Sequence, residues 1–365
     1  MARKHGCALA FFSLPFLVAC SSETDATGGA DVTAATGGSA VTAGGGGAGG
    51  DSTSSETSTG ASGGAGGAPE PVSLRIAVLS DLNGSYGSTT YDAPVHDAIG
   101  AILGGELPDL VLVTGDMVAG QQGGLDYEAM WSGFHDAVTD PLREAGIPVA
   151  VTPGNHDASG YAGFEDERAI FVSQWSDPAR VPEVEFIDDA DYPLRYSFVY
   201  KGAFFLSLDA TTIGPLSADQ RGWVAEQLAA ASEYPIKIAY GHVPIHSVTV
   251  GREEEILDDA ELESIFREAD LTVYVSGHQH GYYPGARDGL RLVSTSCLGS
   301  GPRALIGTSD PTPRSILRLV VEDGELTSLE AFSGPSFDTI IDRSTLPEEL
   351  SYGGKSVLRD DLAGF

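Results

Sequence analysis

The sequence predicts an α/β domain in which mixed sheets carry helices on their outside. Three observations predict it. In the first part of the domain, apolar runs of strand length alternate with helical segments. Beyond about residue 270, strand patterns dominate. Five of the apolar runs end directly on residues drawn from Asp, Asn and His, as they do where sheet edges carry chemistry.

The elements follow in order from about residue 72, where the composition changes abruptly. Leu74 to Ser80 is an apolar run suited to a strand buried on both faces. A helical pattern runs from Ala93 to Leu103, and a second buried strand from Leu110 to Thr114. A longer helix is expected over Tyr127 to Ala145, then a short strand over Val149 to Thr152. Arg195 to Tyr200 and Ala203 to Asp209 flank Lys201-Gly202 and read as a hairpin with a two-residue turn. Ser217 and Gln220 form a capping box that opens a helix reaching about Ala231. Ile236 to Tyr240 and Leu271 to Ser276 are strands around a helix from Asp259 to Glu268. Leu290 to Ser294, Ile316 to Val321 and Leu326 to Ala331 complete the strand set. The domain spans 72–335, and residues 336–365 form a polar tail whose structure the sequence does not indicate.

Residues 1–71 have a different character. Arg3, Lys4 and His5 precede an apolar stretch from Ala8 to Val18, too short for a stable span and suited to a signal segment. It ends in Leu17-Val18-Ala19-Cys20, which resembles a bacterial lipobox. Residues 1–19 are therefore expected to be a lipoprotein signal peptide, with Cys20 as the lipidated residue. The chain is expected to be exported and lipid-anchored to the bacterial envelope, on an outer membrane by resemblance at Ser21. Residues 20–71, rich in Gly, Ala, Ser and Thr, lack any apolar period and read as a flexible tether. With Cys7 removed and Cys20 acylated, Cys297 stands alone, which excludes an internal disulfide framework. Cys297 then reads as a small core residue.

The formal net charge is −32, from 52 acidic and 20 basic residues. Such a field repels polyanions, so nucleic acid is not an expected partner. Membrane contact is expected only through the lipid. The oligomeric state is not encoded in any pattern read here.

The chemistry sits at the strand ends: Asp81, Asp116, Asn155 with His156, His242, and His278 with His280. Each alone is a turn residue or a packed histidine. Together they offer carboxylate, amide and imidazole donors without thiolate, a set that suits divalent manganese, iron or zinc. Gly115-Asp116, Gly154-Asn155-His156-Asp157, Gly241-His242 and Gly277-His278-Gln279-His280 occur in an order and spacing that resemble the calcineurin-like metallophosphoesterases. The resemblance covers about residues 72–335. It implies a four-layer α/β/β/α fold, with two packed mixed sheets flanked by helices, and two divalent metal ions. By that resemblance Asp81, Asp116 and His280 hold one ion. Asp116, Asn155, His242 and His278 hold the other. His156 stands beside the leaving group as proton donor, oriented by a nearby acid. The implied reaction is hydrolysis of a small phosphomonoester or phosphodiester by in-line attack of a hydroxide bridging the metals.

One motif departs from the family. Asp81-Leu82-Asn83 stands where Asp-x-His is usual, so Asn83 offers an amide oxygen in place of an imidazole. That substitution implies one of three things at this position: a preference for harder ions such as magnesium or manganese, weaker binding, or recruitment of another ligand. It also motivates a second reading, a binding or structural lipoprotein on a catalytically degenerate scaffold. Tyr86 and Tyr91 lie close enough in the chain to join the site or simply to pack its loop. His246 and Arg303 are further substrate-binding candidates, each with a structural alternative; His96 and His135 read as structural.

Overall fold

The computed structural model describes residues 72–299 and 301–365. The signal segment, Cys20 and the tether therefore lie outside the described residues. Among the described residues, no helix is long and apolar enough to cross a membrane.

Two sheets form the frame. The six-stranded sheet contains β1 (Leu74–Leu79), β2 (Leu110–Val113), β3 (Val149–Val151), β11 (Ser315–Glu322), β12 (Glu325–Ser333) and β13 (Thr339–Ile340). Its order is β13-β12-β11-β1-β2-β3. The nine-stranded sheet contains β4 (Glu185–Asp191), β5 (Arg195–Tyr200), β6 (Ala203–Ser207), β7 (Lys237–Tyr240), β8 (Val273–Ser276), β9 (Tyr283–Arg287), β10 (Leu290–Ser294), β14 (Glu349–Tyr352) and β15 (Lys355–Arg359). Its order is β14-β15-β9-β10-β8-β7-β6-β5-β4. Both are mixed: β1, β2 and β3 run parallel, as do β6, β7, β8 and β10, and antiparallel strands flank each block.

The alternation of side chains in β1 shows how the layers arise. Leu74, Ile76 and Val78 point into an apolar layer shared with Phe198, Phe205 and Ile238 of the other sheet. Ala77 and Leu79 point the opposite way, onto α1 (Ala93–Gly104) and α2 (Tyr127–Phe134). In β6, Phe204 and Leu206 likewise leave the shared layer and pack on α5 (Ala218–Ala230) and α6 (Ala260–Glu268). Three stacked apolar layers separate helix, sheet, sheet and helix, so the four-layer arrangement is present.

Several local expectations are refined. The helix expected over 127–145 is α2, a π-helical turn at His135–Thr139 and α3 (Asp140–Glu144). His135 in that turn stacks on Trp131, with ring centroids 5.8 Å apart, and meets Trp175 of α4 (Glu165–Trp175) edge-on. The Lys201-Gly202 turn has both φ angles positive, at 47° and 80°, as a two-residue hairpin of this twist requires. The capping box at α5 is half formed. Ser217 accepts from the Gln220 amide N–H, but the Gln220 side chain bonds both backbone groups of Asp209 instead. Residues 336–365 are folded: β13 extends the smaller sheet, and the β14–β15 hairpin extends the larger one through β9.

Candidate metal centre

The parallel strands β1, β2 and β3 of one sheet and β6, β7 and β8 of the other end at a common edge, where the loops after them meet. Thr152, after β3, donates its hydroxyl to the Leu208 carbonyl after β6 at 2.6 Å, tying the two sheet ends together. The Asp81 carboxylate accepts the His278 amide N–H at 3.1 Å, across from β1 to β8. Asp81, Asp116 and His242 are all buried, and one donor atom from each lies within 4.8 Å of the others.

Left-handed backbone marks this edge. Asp81, Asp116, His278 and His280 have φ of 49°, 54°, 66° and 57°. Such a conformation costs a side-chain-bearing residue of order 1–3 kcal/mol, and it collects at functional sites. Gly115 and Gly154 allow the close approach of the loops. A methyl group on Gly115 would lie 2.7 Å from both the Gly154 Cα and His242 Nδ1.

Two of the three imidazoles share one construction. His242 Nδ1–H donates to the Thr114 carbonyl at 2.8 Å, which leaves Nε2 facing Asn155 Oδ1 at 3.0 Å and Asp116 Oδ1 at 3.3 Å. His280 Nδ1–H donates to the Gly301 carbonyl at 3.0 Å, which leaves Nε2 3.2 Å from Asp81 Oδ1. His278 is reversed: Nε2 lies 3.0 Å from the Glu255 carboxylate, and Nδ1 lies 3.3 Å from His242 Nε2. His242 and His280 are held by one nitrogen and present the other to the cluster, the arrangement that orients metal-binding histidines, and His278 has its Nε2 in contact with Glu255 while its Nδ1 lies between His242 and Arg252.

Charge balance supports the same reading. Burial opposes ionisation of Asp81 and Asp116, but His280 and His242 outweigh it and hold both carboxyls below their usual range. Burial opposes the charged form of His242 and His280 too, yet Asp116 and Asp81 lift them to about 9 and about 10. Burial pulls His278 down to about 4, so it is a neutral imidazole at pH 7. Protons on two histidines thus supply the positive charge that two buried carboxylates need. Divalent cations fit this place, because these are the groups whose protons metal binding displaces. The donor set fits such ions in type and in convergence.

The remaining sequence candidates take different positions, some beside this centre and some away from it. The Asn155 amide donates to Gln121 Oε1 at 3.3 Å, which leaves its carbonyl oxygen toward His242. Asn83 is buried on the Asp81 loop, and its backbone N–H donates to the Asp116 carbonyl. His156 donates its amide N–H to Asp116 Oδ1 at 2.9 Å, and its ring stands 5.4 Å from the exposed ring of Tyr86. The partner of His156 Nδ1 is the Gly120 carbonyl, at 3.4 Å, in place of the expected acid. Asp157 is committed elsewhere, accepting the Met117 and Gly154 amides at 2.6 Å each. Tyr91 does not join the site, since its hydroxyl donates to the Met117 carbonyl. His246 has its Nε2 2.8 Å from Glu263 of α6, the structural alternative for it, and it borders a separate pocket with Glu253 and Lys355. Arg303 does lie beside the centre, its amide N–H donating to the His280 carbonyl at 3.1 Å.

Four contributors went unnoticed in the sequence. Arg252 donates to the His278 carbonyl at 2.7 Å and pairs with Glu255 at 3.2 Å. Gln279 lies between His278 and His280 and bonds the loop that carries Arg252 and Glu255. Gln121, with φ of 64°, orients Asn155. Their one sequence signal is the position of Gln279 inside the Gly-His-x-His block; the loop residues have no periodicity to betray them.

Comparison with known proteins agrees with this geometry. A family model described as calcineurin-like phosphoesterase matches residues 74–282. The chain is similar to a zebrafish protein named serine/threonine-protein phosphatase CPPED1, with 26% identity over 53% of this chain and 60% of that protein. It is similar to a probable cyclic nucleotide phosphodiesterase of Psychrobacter arcticus, with 26% identity over 51% of this chain and 62% of that one. The chain thus spans about three fifths of the length of these curated relatives. The solved structure of purple acid phosphatase PPD1 from yellow lupin shares the fold, with a TM-score of 0.56, 16% identity, and coverage of 75% of this chain and 53% of that one. The family match runs from β1 to beyond His280 and includes every ligand-bearing loop described above, and the chain belongs to the calcineurin-like phosphoesterase family.

Proposed function

We propose that this protein is an exported, lipid-anchored, metal-dependent hydrolase of a phosphomonoester or small phosphodiester. The observation that carries the hydrolase reading is the convergence of buried Asp81, Asp116 and His242 with His278, His280 and Asn155 at one sheet edge. Asp81, Asp116 and His280, with Asn83 nearby, would hold one ion. Asp116, Asn155, His242 and His278 would hold the second. Two bound divalent ions supply Lewis acidity at the phosphoryl group and a water-derived nucleophile at neutral pH.

The chain's own residues do the rest. Asp116 fixes His156 through the amide N–H and so sets the ring beside the cluster. From there His156 would give its proton to the departing oxygen. Tyr86, exposed beside His156, would border the leaving group. Arg252 and Arg303 bring positive charge to the His278–His280 side, where a phosphoryl dianion needs it in a chain of net charge −32. The relatives named as a phosphatase and as a phosphodiesterase leave both ester classes open. Export and anchoring rest on the sequence of residues 1–20 alone.

The test is hydrolysis of a generic phosphomonoester and a generic phosphodiester with manganese, magnesium, zinc or no metal. Native protein and Asp116→Asn are compared. Metal-dependent turnover that the substitution removes is expected, and the faster ester assigns the class. Asn83 favours a second reading, a binding lipoprotein on a degenerate scaffold; folded protein without turnover under every metal would establish it. For the anchor, Cys20→Ala is expected to move the protein from the detergent phase to the aqueous phase, and unchanged partition would sink the lipid reading.

A further inference from the structure

The three imidazoles of the centre are not anchored alike. His242 and His280 are held by backbone carbonyls, those of Thr114 and Gly301. His278 instead has its Nε2 3.0 Å from the carboxylate of Glu255, on a loop outside the sheet-end motifs. That loop is itself fastened by Gln279. Gln279 Oε1 accepts the Val248 and Thr249 amides at 2.7 and 3.0 Å. Its Nε2 donates to the Arg252 and Glu255 carbonyls at 2.9 and 3.0 Å. The side chain is fully buried and makes four hydrogen bonds, all to backbone of one loop. Arg252 closes the arrangement by bonding both the Glu255 carboxylate and the His278 carbonyl.

We propose that Glu255 is a positioning residue for the metal centre, holding His278 by Nε2 so that Nδ1 faces the ions, and that Gln279 acts through it by fixing the loop that presents Glu255. The proposal rests on the metal-site reading above. Its physical basis is direct. An imidazole has two nitrogens and can turn about its Cβ–Cγ bond. A ring whose Nε2–H is bound to a carboxylate presents a lone pair at Nδ1, in one orientation. Without that acceptor, the ring samples other orientations and the other tautomer, and each metal-binding event must order it again. Gln279 lies in the chain between two ligands, so the same segment that carries the ligands also holds the loop that orients one of them.

The experiment titrates the protein with manganese and with cobalt, the latter followed by its visible absorption, in native protein, Glu255→Ala, Glu255→Gln, Gln279→Met and the double variant Glu255→Ala/Gln279→Met. Glu255 is 36% exposed, so its replacement leaves the core intact. Glu255→Ala is expected to weaken metal binding about 10- to 100-fold and to change the cobalt spectrum. Glu255→Gln keeps an oxygen acceptor and is expected to restore both to near native. Gln279→Met is expected to resemble Glu255→Ala, and the double variant to be no weaker than the worse single one, as for residues acting in series. Native affinity and spectrum in Glu255→Ala would overturn the proposal, whatever Gln279→Met does. Additive losses in the double variant would overturn the part assigned to Gln279. If native protein binds neither metal, the metal-site reading itself falls, an outcome separate from the two above.

Discussion

A single methyl group added at Gly115 tests whether the site depends on the close approach of the two loops. At Gly115→Ala the new Cβ would stand 2.7 Å from His242 Nδ1 and 2.7 Å from the Gly154 Cα. Ordinary contact begins at 3.4 Å, so His242 or the Gly154 loop must give by about 0.7 Å. The His242 nitrogen concerned is the one bonded to the Thr114 carbonyl, and the ring cannot retreat without giving up that anchor. The backbone adds a second penalty, because φ at Gly115 is +89°, where a residue with a Cβ is strained by about 1–2 kcal/mol. Overpacking contributes about 1–3 kcal/mol more. A loss of about 2–5 kcal/mol in metal-free stability is expected by denaturant unfolding. In the fraction that folds, misplacement of a ligand approaching 1 Å predicts a loss of activity on the order of 100-fold. Gly100→Ala is the control: it lies in α1 with nothing within 4 Å of the added methyl. Native activity and stability in Gly115→Ala would refute the claim that the glycine is required by this contact.

Gly100→Ala itself is expected to stabilise the protein by about 0.5–1 kcal/mol, as glycine weakens a helix interior, and thermal melting measures it. Metal affinity should rise with pH. His242 and His280, lifted to about 9 and about 10 from 6.5, are protonated at pH 7 in metal-free protein, and binding must expel those protons. Calorimetry in buffers of different ionisation heat should find about two protons released at pH 7, and none would contradict the charge balance argued here. Metal-free stability moves the opposite way: the two His–Asp contacts contribute fully below pH 6.5 and are lost as pH rises through about 9 to 10. Tyr196→Phe should cost about 1–3 kcal/mol with the fold retained. The buried hydroxyl serves both backbone groups of Val151, at 3.0 and 2.7 Å, and accepts from Tyr240 at 2.8 Å.

The sequence made the centre of this protein legible and its margins illegible, for a physical reason. β2, β7 and β8 are buried throughout and β1 at all but Arg75, so they read as mostly apolar runs. A polar residue that follows such a run at once is conspicuous. The edge strands carry no such signal. β4 reads Glu-Phe-Ile-Asp-Asp-Ala-Asp and is mostly exposed, as charged edges that resist pairing with other chains tend to be. β9 contains Pro284 and Gly285, residues that argue against a strand. In the final hairpin, Leu350 is the one buried residue of β14, and only Val357 and Arg359 are buried in β15. Neither strand has a pattern to read, and both exist because β9 offers them an edge. The loop bearing Arg252 and Glu255 is defined by Gln279, through bonds to backbone that no local sequence rule describes.

This division bears on how such a centre changes. Two of the three histidine anchors are peptide carbonyls, and no side-chain substitution at Thr114 or Gly301 removes a carbonyl. The buried carboxylates Asp81 and Asp116 sustain each other's surroundings through His280 and His242, so losing either leaves charged imidazole without its counter-charge. What stays free to vary is Asn83, on the Asp81 loop, and Glu255, behind His278. On the proposed assignment, Asn83 would bear on one ion by donor type and Glu255 on the other by ring orientation. A change at Glu255, which is 36% exposed, would alter the affinity for a metal without dismantling the fold around it. Asn83→His is therefore the informative substitution at the first position. It should shift preference from magnesium or manganese toward zinc, read by competitive metal titration, while metal-free stability moves little. An unchanged order of metal preference would mean that Asn83 does not contribute a donor.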